Sequence, residues 1–72
     1  MWLEFPEIRR VVNMDNVAEV RIDTFFEKRG KCFWSLVLMY ANGMEQEIKR
    51  YESRELAENA LCAVRLAVKN NP

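Results

Sequence analysis

The chain has no histidine and only two cysteines, Cys32 and Cys62. Without histidine, a protein-only zinc site of the usual Cys/His kind is excluded. Two cysteines are too few for the disulfide framework that staples many small secreted domains. One Cys32–Cys62 bridge stays open, beside the reading of each thiol as a small free hydrophobe. Net charge is missing as well, because 11 basic residues offset 11 acidic ones. A protein that lives on nucleic acid normally carries a basic excess, since phosphate neutralisation supplies most of its affinity. Residues 1–6 have neither a basic start nor a long apolar run, so they do not read as a signal peptide. The longest apolar run, around residues 37–41, is far short of a membrane span. The expectation is a cytoplasmic protein with reduced thiols.

At 72 residues the chain is read as one domain, 1–72, with a small core. Small domains gain extra stability from disulfides, metals or oligomerisation, and the composition leaves mainly the last. Breakers are scarce: Gly30, Gly43, Pro6 and Pro72 are all there are, so each carries positional information.

Between these breakers the periodicity is legible. In residues 17–26, Val20 and Ile22 alternate with Glu19, Arg21 and Asp23, the period of a half-buried strand. Ahead of it, Asn13, Asp15 and Asn16 favour a tight turn, and residues 8–12 are expected to form a first strand. Residues 31–41 are apolar on both parities, as in a strand buried on both faces. Residues 44–51 are mostly charged and read as an edge strand. Ser53 is a good N-cap for a helix running to about residue 69. On it Leu56, Ala57, Ala60, Leu61, Val64, Ala67 and Val68 share one arc, while Cys62 and Leu66 fall on the polar side. The fold class is α+β: an antiparallel meander of three to four strands with one C-terminal helix packed on one face.

The loops set the register. With Lys28-Arg29-Gly30 as a three-residue loop ending in a left-handed glycine, Ile22 pairs with Leu36 and Val20 with Leu38. With Ala41-Asn42-Gly43 read the same way, Tyr40 pairs with Met44 and Leu36 with Ile48. The helix-facing layer is then Val20, Ile22, Trp34, Leu36, Leu38, Tyr40, Met44 and Ile48. The opposite face carries Glu19, Arg21, Asp23 and Phe25, then Phe33, Ser35, Val37 and Met39, then Glu45, Glu47, Lys49 and Tyr51. One helix cannot cover two faces. Either Trp2, Leu3 and Phe5 fold over this apolar strip, or a second molecule does.

No grouping of residues points to catalysis, a metal or a cofactor. The oxygens near Asp15 are too few for calcium, Glu45 and Glu47 read as a solvated strand face, and Ser35 and Ser53 have no base to activate them. The leading expectation is a non-enzymatic protein-interaction module. It would be homodimeric through the sheet face opposite the helix, with Phe25, Phe33, Val37, Met39 and Tyr51 at the contact. The alternative is a weak single-stranded nucleic-acid binder that stacks bases on Phe25, Phe33 and Tyr51, with Arg21, Lys31 and Lys49 near the phosphates. Glu19, Asp23, Glu45 and Glu47 on the same face speak against that. A small inhibitor of a host enzyme is a third class.

Residues 12–17, Val-Asn-Met-Asp-Asn-Val, followed by the alternating Val20 and Ile22, carry a resemblance. Asn42-Gly43, Ile48, Tyr51, Ser53 and Ala57 leading into the helix extend it. Together they resemble small uncharacterised proteins carried by bacterial phages and other mobile elements, which pair a short antiparallel sheet with a terminal helix. The resemblance implies a bacterial, accessory origin. It implies no activity and brings no functional residue.

Overall fold

Both hairpin loops end on a glycine that only a residue without Cβ adopts at little cost: Gly30 has φ 78° and Gly43 φ 87°. In the computed structural model, which describes residues 1–70, these loops join three strands, β3 (Val17–Phe26), β4 (Cys32–Tyr40) and β5 (Glu45–Tyr51). They form one antiparallel sheet with β4 in the middle. The first hairpin has the expected register: Ile22 opposes Leu36, Val20 opposes Leu38, and the Glu27 amide donates to the Lys31 carbonyl at 2.8 Å. A bulge at Ala18 separates the pairs Val17–Tyr40 and Glu19–Met39.

The second hairpin starts as expected, with the Tyr40 amide donating to the Met44 carbonyl at 2.8 Å. Further along, its register slips by one. Val37 opposes Glu47 but Leu36 opposes Lys49, so Ile48 is the extra residue of a bulge. The expected pairing of Leu36 with Ile48 is therefore corrected. So is the inward placing of Met44, which lies at the hairpin end and is exposed.

The helix α1 (Arg54–Asn70) starts at Ser53, whose Oγ accepts from the Leu56 amide at 3.4 Å. It packs on the sheet face that carries Leu36 and Leu38. Ala57 is buried and Ala60, Leu61 and Val64 pack against the core. Leu56 and Val68, at the margins of the apolar arc, stay largely in solvent.

The N-terminal segment is a third hairpin rather than a single strand over residues 8–12. The strand β1 (Trp2–Phe5) pairs with β2 (Arg10–Asn13) in a separate two-stranded sheet. A 3₁₀ turn, Pro6–Ile8, links them, with Arg9 in the left-handed region at φ 54°. The Asn13–Asn16 turn forms as expected, the Asn13 side chain accepting from the Asp15 amide at 3.1 Å. Alternation along β1 and β2 turns Leu3, Phe5 and Val12 inward. Phe5, Val12, Leu36, Leu38 and Ile48 make the buried cluster. Hairpin and helix thus lie on one side of the three-stranded sheet. Leu38, at the centre, has no exposed surface, and Phe5 keeps 3%.

Candidate interaction surface

The sheet face away from the helix is covered by neither added element. Its middle row is nonetheless dry. Ser35 has no exposed surface and Val37 keeps only 5%. The cover comes from the strands' own charged side chains.

Arg21 on β3 and Glu47 on β5 flank Val37. Arg21 donates through Nε to Asp23 Oδ1 at 2.8 Å and through Nη2 to Asp23 Oδ2 at 3.2 Å. It also pairs with Glu45 of β5, so the guanidinium spans the sheet above β4. These partners, Asp23 first, hold the guanidinium still more firmly in its charged form. Glu47 accepts from Ser35 Oγ at 2.8 Å and from Arg50 Nε at 2.9 Å. Glu45 and Glu47 are therefore separately partnered carboxylates, each held by an arginine.

At one end of the face, Phe25 and Phe33 stack with centroids 5.0 Å apart and planes inclined by 16°. The Arg50 guanidinium lies 4.6 Å from the Phe33 ring centroid, within cation–π range. Phe25 remains 44% exposed. Around the β3 edge, on the helix side, Phe26 is 81% exposed.

The structure brings together Phe25, Phe33, Val37 and Met39 on this face, in the positions expected of them. Tyr51 is a correction. The Ile48 bulge shifts the rest of β5, so Tyr51 opposes Trp34 on the helix side and packs against the core, and Arg50 takes the outer position. Arg50 is the outer-face residue that sequence reasoning missed. The signal was there: Ile48 and Tyr51 are three apart, and a regular strand cannot turn both inward. The three expected cations do not converge. Arg21 is tied to carboxylates, Lys49 lies 5.4 Å from the Tyr51 ring centroid, and Lys31 lies beside the first hairpin loop. There it lines a hollow with Glu27, Cys32, Phe33 and Glu52.

Tyr51 offers a test of its corrected place. Burial, and secondarily the charge of Glu7 on the N-terminal hairpin, push its hydroxyl above the ordinary tyrosine value of 10.0. A raised folded-state pKa means that stabilisation is intact below the unfolded value and fades as pH climbs past it. Tyr51→Phe is expected to lose less stability than the parent between neutral pH and pH above 10. Thermal melts of the two proteins across that range measure the difference. Parallel curves would put Tyr51 back in solvent.

A broad groove of about 790 Å³ runs between the free side of β3 and the helix. It is lined by the apolar Val20, Ile22, Phe26, Trp34 and Leu61 and by the charged Arg54, Glu58 and Arg65. Both cysteines are free, Cys32 half-buried and Cys62 exposed. Among the described residues there is no cluster of His, Cys, Asp and Glu that could hold a metal ion, and no helix long and apolar enough to cross a membrane.

No known family, no curated protein and no solved structure matches this chain.

Proposed function

We propose that the chain is a non-enzymatic interaction module that associates with a second copy of itself. The contact uses the outer strand β3 and the adjoining side of the three-stranded sheet that helix and hairpin leave open. One observation carries this reading: both added elements lie on the same sheet face, while Phe25 and Phe26 stand exposed at the far end of β3. Large apolar groups grouped at one place on a small domain mark a contact surface. The middle of the outer face is the less favourable half for a partner. Its ion pairs already shelter Val37, and pressing them against another protein would strip their remaining water at a cost. The weight of the contact therefore falls on β3 and its aromatic end.

Light scattering or sedimentation at micromolar concentration tests the reading. The parent is expected to run as a dimer. Phe25→Glu is expected to shift it towards monomer without altering the circular dichroism spectrum, because Phe25 is not part of the core. A parent that stays monomeric throughout the micromolar range would end the proposal.

A further inference from the structure

Resting on the reading that a second copy binds, we propose that the copy joins along the free edge of β3. The two β3 strands pair antiparallel about a two-fold axis at Ile22, and the two sheets become one.

Four observations converge on this edge. First, among the described residues β3 pairs with β4 alone. Counting along the ladder from the Glu27–Lys31 bond, the N–H and C=O groups of Glu19, Arg21, Asp23 and Phe25 point to β4. Those of Val20, Ile22, Thr24 and Phe26 point away from it. From Glu19 to Phe26 the strand is free of bulges, and it contains no proline. It is a long, unbroken edge of the kind that recruits another strand.

Second, the other edge of the sheet is guarded. At β5 the Ile48 bulge interrupts the ladder. Arg10 of the N-terminal hairpin donates to Gln46 Oε1 at 3.1 Å, and the Gln46 amide caps the Glu47 carbonyl at 3.2 Å. Among the described residues no such device interrupts β3 between Glu19 and Phe26, its own bulge lying outside that stretch at Ala18.

Third, the charges on β3 are complementary to their own reverse. With Ile22 opposite Ile22 of the copy, Arg21 faces Asp23 and Asp23 faces Arg21. These are the non-hydrogen-bonded positions, where side chains approach closest. The four groups form a ring of alternating sign on the outer face. Sliding by two residues one way opposes Arg21 to itself and Glu19 to Asp23. Sliding the other way opposes Asp23 to itself. Both juxtapose like charges. A slide by one residue would exchange the faces of the copy.

Fourth, the same register shelters exposed apolar surface on the helix side. Val20 meets Thr24, and Phe26 of each copy comes to the bulge at Ala18 of the other. There it adjoins a cleft lined by Val20, Val64 and Val68. Val68, left 39% exposed by its own chain, gains an aromatic neighbour.

A charge-exchange pair tests this register. Arg21→Asp carries two aspartates on the strand, and Asp23→Arg carries two arginines. Each alone is expected to dimerise about tenfold or more weakly than the parent. Mixed in equal amounts, the two are expected to form a heterodimer near the parent's affinity, since every cross-strand position is again opposite in sign. The mixture cannot restore the Arg21–Asp23 pair within either chain, so recovery reports only contact between chains. Thr24→Pro provides a check through the backbone. It deletes one outward N–H while leaving the β4 ladder intact, as an edge strand tolerates, and is expected to give a folded monomer.

Recovery in the mixture and a folded Thr24→Pro monomer support the edge pairing. If the parent dimerises, yet the mixture fails to recover and Phe33→Glu dissociates it, the copies meet face to face. The edge pairing is then wrong while self-association stands. A monomeric parent overturns both.

Discussion

Phe5→Ala is expected to destabilise this protein by about 3–5 kcal/mol, the usual range for emptying a buried phenylalanine site. Small domains hold about 5–15 kcal/mol in total, so the variant should lie close to unfolding at room temperature. The reason is where β1 sits. Its side chains are not a loose N-terminal extension. Phe5 is nearly as buried as Leu36 and belongs to one cluster with Val12, Leu36, Leu38 and Ile48. The three-stranded sheet and helix alone would leave that part of the sheet wet, because the helix crosses only some of it. Trp2, next to Leu3 and on the opposite pleat to Phe5, is 64% exposed and serves as the control: Trp2→Ala is expected to change stability by less than about 1 kcal/mol. Urea denaturation of both variants decides the matter. Equal midpoints would mean that the N-terminal hairpin adds nothing to the core.

Much of this architecture could be read from the chain, and the failures have a common cause. The β3–β4 hairpin was legible because a loop glycine, a cross-strand charge pair and two apolar pairs all demanded the same register. The helix was legible because a cap and an apolar arc agreed. Where one signal stood alone, the reading went astray. Leu3 and Phe5 alternate, but four residues between a start and a proline give periodicity too little length to declare a strand. The choice offered for the apolar strip, the N-terminal aromatics or another molecule, also omitted what covers Val37. Arg21, Glu45 and Glu47 look like solvent-facing charges in a sequence. Only the sheet shows that an arginine on one outer strand reaches a carboxylate on the other across the central one. Long charged side chains can roof apolar residues with their stems while their ends stay wet. Glu45 and Glu47, two of the carboxylates that speak against a nucleic-acid backbone, are among the residues that keep the face dry.

The bulge in β5 leads to the second large effect, a contrast between two adjacent deletions. Removing Ile48 or removing Lys49 has the same consequence for the ladder. In both, the strand becomes regular, Glu47 still opposes Val37, and Arg50 and Tyr51 keep their partners Ser35 and Trp34. What differs is the side chain left opposite Leu36. Without Lys49 it is Ile48, and the core is complete. Without Ile48 it is Lys49, and a site that is 5% exposed loses its isoleucine and receives the stem of a lysine. Deleting Ile48 is therefore expected to cost about 2–5 kcal/mol, as for truncation of a buried isoleucine. Deleting Lys49 is expected to cost much less, the remaining term being the local twist that the bulge imparts. If the bulge were needed in itself, for example to aim Arg50 at Phe33, the two deletions would be equally damaging in a chemical melt. If it serves to seat both Ile48 and Tyr51 on one face, the two will separate widely, and the Lys49 deletion will retain the near-ultraviolet signature of packed aromatics.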